Sequence, residues 1–311
     1  MNIHQFQYIQ TLAEIKHFET AAEKCHITQS TLSTMISKFE DELGVKIFDR
    51  KKKPVEITAE GQTLLEQIKK INKEIEQLYE ITKEIKGEIK GDLTLAAIPT
   101  IAPSLLPLFI TEFAKKFPNL NIDISELTTA EIMRKIKARE LDIGIVSIPL
   151  NDDDIKEIHL YDEAFVFYDT HVLGKQDLDA NLIDVNNLCL LDEGHCMRAQ
   201  VLELCNLHQK RLNQTKNFKY NAGSIDSLLK FVKANQGSTL LPFLSTLDFT
   251  ETEQHHIQNF KAPIPYRSVG LVVHRHFVKN RVLELLQKEI QTQISPLLSQ
   301  TKLQGSMLNP L

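Results

Sequence analysis

Residues 194–205 read GHCMRAQVLELC and place two thiols, Cys196 and Cys205, in one stretch with amphipathic helical spacing. On a continuous helix their separation is ~13.5 Å along the axis, and the sulfurs point to opposite sides. A disulfide needs Cα atoms roughly 4.4–6.8 Å apart. The two therefore never meet, or meet only if the helix comes apart. The thiolate is the nucleophile in thiol redox chemistry, so a reactive cysteine must be held as an anion on an open path. Cys196 follows Gly194 and His195 at what reads as a helix start, where the macrodipole favours an anion. Arg198 is near in sequence and carries a charge that cannot be titrated away. His195 reads equally as a tuner of the thiolate or as a helix cap. The competing reading is a pair of hydrophobic cysteines buried in a core, and it is the one expected for Cys25 and Cys189. No CxxC pair is present and His195 adjoins Cys196, so neither a metal nor a cofactor is expected.

The bulk properties narrow the classes. At 311 residues the chain is long enough for two or three compact units. With 42% apolar and 25% charged residues it has the composition of a soluble globular protein. Four irregularly spaced cysteines do not read as a secreted disulfide framework. The opening MNIHQFQYIQ has neither a basic nor an apolar stretch, so no signal peptide is expected. No apolar run approaches the ~18 residues that span a bilayer. A cytoplasmic protein without a membrane partner follows as the expectation, with the cysteine pair redox-active. A net charge of −5 speaks only weakly against nucleic acid, because a small basic head disappears in a whole-chain sum.

The elements around the thiols fall into sections. In residues 1–60, Phe6, Ile9, Leu12 and Ile15 line a first helix, and Ala21 and Ala22 allow a close crossing. Thr28 reads as an N-cap, and Leu32, Ile36 and Phe39 form the buried face of the helix that follows. Gln29, Ser30, Thr31, Ser33 and Thr34 lie on its other face, where short polar groups reach base edges or phosphates. Arg50, Lys51, Lys52 and Lys53, at a turn before the strand-like Val55–Thr58, suit a wing on backbone phosphate. In residues 61–85, Leu64, Ile68, Ile71, Ile75, Leu78, Thr82 and Ile85 alternate steps of four and three, a heptad seam for pairing with a second copy. Such a homodimer presents two recognition helices to two half-sites. Residues 86–92 read as a hinge. Strands then alternate with helices, giving an α/β region expected to form two lobes, 93–163 with 268–295, and 164–267. A tail from 296 to 311 has no periodicity and is expected to be mobile.

AAEKCHITQSTLS, FEDELGVKIFDR and VEITAEG are similar to the winged helix-turn-helix of LysR-type transcriptional regulators. That resemblance implies an N-terminal DNA-binding head, a long linker helix and a two-lobed domain built like a periplasmic binding protein. GHCMRAQVLELC resembles the redox loop of the peroxide-sensing OxyR branch of the family. It implies that hydrogen peroxide oxidises Cys196 to a sulfenic acid, which condenses with Cys205 to a disulfide. It further implies that Thr100, Thr129 and Arg267 frame the pocket with His195 and Arg198. Double-stranded promoter DNA, a homotetramer, a cellular thiol reductant and control of oxidative-stress genes come with it. Ser30 stands where many members carry proline, a position that tolerates either residue. Ala199 stands where the family has aspartate, which removes an acid/base or salt-bridge partner. Two rival readings remain: a LysR-type regulator holding a metabolite between its lobes, and a thiol peroxidase. The second leaves the head and the dimer seam without a purpose, so no enzyme is expected.

Overall fold

The structure is a computed structural model that describes residues 1–174, 177–183, 187–192, 196–204, 222–298 and 305–310. Cys205, Gly194 and His195 lie outside the described residues. The chain forms two compact units, Met1–Lys86 and Gly87–Leu311.

The first unit starts with α1 (Ile3–Ile15), α2 (Phe18–Lys24) and α3 (Gln29–Leu43). Asn2 and Gln5 close a capping box on α1, and Thr28 caps α3 by accepting from the Thr31 amide. Gly44 ends α3 at φ +68°, a left-handed conformation that costs glycine nothing. Ile9, Leu12, Ala21, Ala22, Leu32, Ile36 and Phe39 form one core. The strands β1 (Phe48–Asp49) and β2 (Glu56–Ile57) pair antiparallel as a small hairpin. A single helix, α4 (Ala59–Lys86), completes the unit. The expected seam divides along it. Ile68 enters the head core and Leu64 packs beside it, whereas Leu78 and Ile85 stay 64% and 81% exposed. Leu65, which the seam leaves out, is buried in the head.

The second unit begins with β3 (Gly91–Ala97), α5 (Ala102–Lys116), β4 (Leu120–Glu126), α6 (Thr129–Lys137) and β5 (Ile143–Ile148). β3 runs parallel to both β4 and β5, as alternating strands and helices require. It continues with β6 (Ile155–Asp169), β7 (Asp177–Leu178), α7 (Cys196–Leu204), α8 (Ile225–Ala234), β8 (Ser238–Pro242) and α9 (Glu251–Gln254). It ends with β9 (Ile257–Phe260), β10 (Ile264–His274), α10 (Asn280–Leu298) and β11 (Gly305–Met307). Among the described residues the strand order is β4-β3-β5-β10-β6-β9-β7, with β11 beside β10 and β8 beside β6. Strand β6, paired antiparallel with β10, threads two hydrophobic cores. One holds Leu95, Phe109, Ile145, Leu271 and Leu286; the other holds Phe165, Val201, Leu228, Leu240 and Phe260. Along β6 the membership changes between Tyr161 and Phe165.

Two expectations are corrected. Within 164–267, where strands were expected to alternate with helices, the described residues of the run CLLDEG form no strand, and among them only Leu191 makes a single bridge, to Ala222. Asp192 is a poor strand former and cuts the apolar run short. The tail expected to be mobile from 296 is helical to Leu298, and residues 305–307 form a strand on β10. Leu308 supplies the reason, since it is buried in the second core.

Candidate functional site

Cys196 is the first residue of α7, a segment of good helix formers. The helix straddles both cores. Cys196 packs into the first, and Met197 and Val201 into the second. Cys196 is 7% exposed, and its Sγ lies 3.7 Å from the Ser147 Oγ to which it donates. Ser147 is fully buried in β5, opposite Val269 of β10. Two residues before Val269, and so on the same face of the sheet, comes Arg267.

Arg267 is 1% exposed and pairs across the ladder with Glu163 of β6. Its Nε donates to Glu163 Oε2 at 2.9 Å, and Nη2 lies 2.8 Å from the same oxygen. Nη1 donates to Thr100 Oγ1 and Nη2 to the Thr100 carbonyl, each at 3.0 Å. The second Glu163 oxygen accepts from the Leu244 amide at 2.7 Å. A buried ion pair persists only when its polar atoms find further partners, and here all three guanidinium nitrogens and both carboxylate oxygens have one. Burial alone would weaken the Arg267 proton, but the facing charges of Glu163, Tyr161 and Cys196 outweigh it and raise the pKa above its ordinary value. The guanidinium is thus a permanent cation within electrostatic reach of the Cys196 sulfur.

Of the five residues expected to frame this pocket, the structure joins Thr100 and Arg267 directly. Thr129 is buried at the first turn of α6, the turn capped by Thr128, and enters none of these hydrogen bonds. Arg198 was expected beside the sulfur; it instead donates to the Leu191 carbonyl at 2.9 Å. From the third position of α7 its long side chain reaches the preceding segment, and the cation near the thiol is Arg267. His195 and Cys205 lie outside the described residues.

In the head, Gln29, Ser30, Thr31 and Thr34 are exposed along the start of α3. Ser33 is half-buried and accepts from Arg50 Nη1 at 2.9 Å. Arg50 also reaches Glu40 Oε2 at 3.3 Å and lies 5.3 Å above the Phe18 ring centroid. That tethering departs from the free phosphate grip expected of Arg50, because a buried carboxylate competes for its guanidinium. Glu40 has a fully buried side chain, and its Oε1 accepts from the Ile47 and Phe48 amides at 2.9 and 3.1 Å. Lys51, Lys52 and Lys53 are exposed on the hairpin, with Lys52 paired to Glu56.

The family model described as "Bacterial regulatory helix-turn-helix protein, lysR family" matches residues 3–62, and the one described as "LysR substrate binding domain" matches residues 86–294. The chain belongs to the LysR family. Among its relatives is the hydrogen peroxide-inducible genes activator of Pectobacterium carotovorum, 31% identical over 88% of this chain and 90% of the relative. Another is the DNA-binding transcriptional dual regulator OxyR of Escherichia coli, 31% identical over 88% and 89%. A full-length cysteine-to-aspartate variant of Pseudomonas aeruginosa OxyR superposes with a TM-score of 0.71 at 31% identity, covering 94% of this chain and 98% of that one.

Three residues of this LysR-family site were missed in the sequence: Ser147, Glu163 and Tyr161. The signal for Glu163 is a carboxylate directly before the apolar run AFVF in the strand YDEAFVFY, where burial demands a cationic partner. Ser147 is a hydroxyl in the apolar strand IGIVSI. Tyr161 sits opposite Val269 in the same row as Ser147, and its buried hydroxyl has no hydrogen-bond partner among the described residues.

Proposed function

We propose that this LysR-family regulator senses hydrogen peroxide through Cys196 and passes the signal to promoter DNA through its helix-turn-helix head. One observation carries the reading. The first residue of α7 points its sulfur into a buried polar layer whose cation, Arg267, is locked in place by Glu163 and Thr100. A thiolate at Cys196 attacks one peroxide oxygen; the S–O bond forms as the O–O bond breaks, and the leaving hydroxide takes a proton to become water. The Cys205 thiolate then attacks the sulfenic sulfur; the S–S bond forms as the S–O bond breaks, and the departing hydroxide takes a proton to become a second water. A cellular thiol reductant returns both cysteines to thiols. Thr100 and Thr129 orient the peroxide, and His195 and Arg198 shape the loop around it. Because α7 keeps Cys196 at its first residue, closure to Cys205 requires the segment to unwind and repack.

Gln29, Ser30, Thr31, Thr34, Lys51, Lys52 and Lys53 face the DNA, while Ser33 and Arg50 hold the hairpin against α3. The exposed apolar residues of α4, among them Leu78 and Ile85, pair two copies, and pairs of dimers make a homotetramer in the cytoplasm. A metabolite carboxylate is a poorer fit to the pocket. The Arg267 guanidinium already spends Nε, Nη1 and Nη2 on Glu163 and Thr100.

Peptide mass spectra after dilute peroxide test the reading. A 196–205 linkage is expected in the wild type, and a trapped oxidised Cys196 in Cys205→Ser. An unmodified Cys196 in both would reject it.

A further inference from the structure

The segment after α10 lies against the two elements that build the redox site. Gly305, Ser306 and Met307 pair in parallel with Ile264, Pro265 and Tyr266, immediately before Arg267 on β10. The Leu308 amide continues the ladder by donating to the Tyr266 carbonyl at 2.9 Å. The segment then turns to α7. Gln200 Nε2 donates to the Leu308 carbonyl at 3.0 Å, and the Asn309 amide donates to Glu203 Oε2 at 2.9 Å. Leu308 and Pro310 are buried while Met307 and Asn309 are exposed, the period-two burial of an extended peptide seated in a groove. Leu308 shares its core with Met197 and Val201 of α7. Gln200 stands one turn after Cys196 and is fully buried; its Oε1 has no hydrogen-bond partner among the described residues. Loss of the tail would therefore leave the whole buried amide unsatisfied, a costly state.

We propose that residues 305–310 are an internal latch that positions Cys196 by tying its helix to the strand bearing Arg267, and that the latch detaches when the helix unwinds. The release half rests on the reading that Cys196 and Cys205 join. Closure of that disulfide takes turns out of α7, which withdraws Gln200 and Glu203 from the tail. Two anchors go at once, and the Ile264–Tyr266 edge is then exposed as an unpaired strand, open to a new partner segment.

Hydrogen exchange read by mass spectrometry tests the latch in the reduced, full-length protein, in a chain ending at residue 304, and in Leu308→Asp. In both variants the amides of residues 198–204 are expected to exchange about tenfold faster, with those of β3 and β5 unchanged. Unchanged α7 exchange in both variants overturns the latch. So does an equal acceleration in β3 and β5, which makes the tail a general structural brace. Peroxide treatment of the wild type is expected to accelerate exchange in residues 305–310 as the 196–205 linkage forms. A formed linkage with a protected tail overturns release. Absence of any linkage refutes the cysteine-pair reading instead, and the reduced-state result still decides whether the tail positions α7.

Discussion

Arg267 shows how one side chain serves both packing and chemistry. It is locked by four polar contacts to two neighbours, so its charge stays fixed near Cys196. Lysine keeps the charge but cannot make the same forked contacts. Arg267→Lys is expected to cost roughly 3 kcal/mol in chemical denaturation, the scale of a broken buried pair. It should also slow Cys196 oxidation about tenfold in stopped-flow measurements, because thiolate reactivity follows local positive charge. A variant as stable and as fast as the wild type would remove Arg267 from the mechanism. Since Arg267 holds its proton more firmly than an ordinary arginine, pH dependence of the peroxide reaction will belong to other groups. Ala199 stands where the resemblance to the family leads one to expect aspartate. Ala199→Asp is expected to change the oxidation rate while leaving the melting temperature within a degree or two, since the site lies at the half-buried fourth position of α7.

The elements carry their own tests. β5 lies so close to α6 that a Cβ added at Gly144 would stand 2.8 Å from Val272 Cγ2 and closer still to Ile132 of α6. Gly144→Ala is therefore expected to push α6, and with it Thr129, off the sheet, at a cost of about 1–3 kcal/mol. Oxidation should slow in step, and an unchanged rate would show that Thr129 does not touch the peroxide. In the second core's outer layer, Lys233 and the Thr250 amide draw the Glu253 carboxyl down to about 2 from 4.5. Between those values the unfolded chain binds more protons than the folded one, so stability rises with pH there. The contribution is complete above about 4.5 and lost as pH falls through about 2. Glu253→Gln is expected to flatten that acid limb in pH-resolved melts, and a limb of unchanged slope would assign it to other carboxyls.

For the molecule as a whole, the question is how a small change at one sulfur reaches DNA. Leu78 and Ile85 stay exposed on α4, and an uncovered apolar stripe on a helix is a place for a partner. Leu78→Asp with Ile85→Asp is expected to yield monomers in sedimentation while the head remains folded. DNA affinity should then fall by at least tenfold, because two linked heads bind far better than one. Footprints on promoter DNA are expected to differ in length between reduced and oxidised wild type, and to be identical for Cys196→Ser. A wild-type footprint indifferent to peroxide would separate the DNA reader from the sensor.

Much of this was legible in the linear chain, and for a reason. Helix caps such as Thr28, alternating strands such as 91–97, and the helix start at Cys196 depend on residues within a turn or two of each other. Local spacing therefore determined the helix-turn-helix head and the α/β order, and it marked Cys196 as the candidate sensing thiol. The partners of those residues were not legible. Glu163 and Arg267 are 104 positions apart, Cys196 and Ser147 are 49 apart, and Gln200 meets Leu308 across 108. Arg198 was the nearer cation in sequence, yet the helix turned it to the Leu191 carbonyl. Which charge faces the sulfur, and that the tail grips α7, were decided by β-ladder register and by the burial of Leu308. Both are properties of distant strands brought side by side, and no local pattern encodes them.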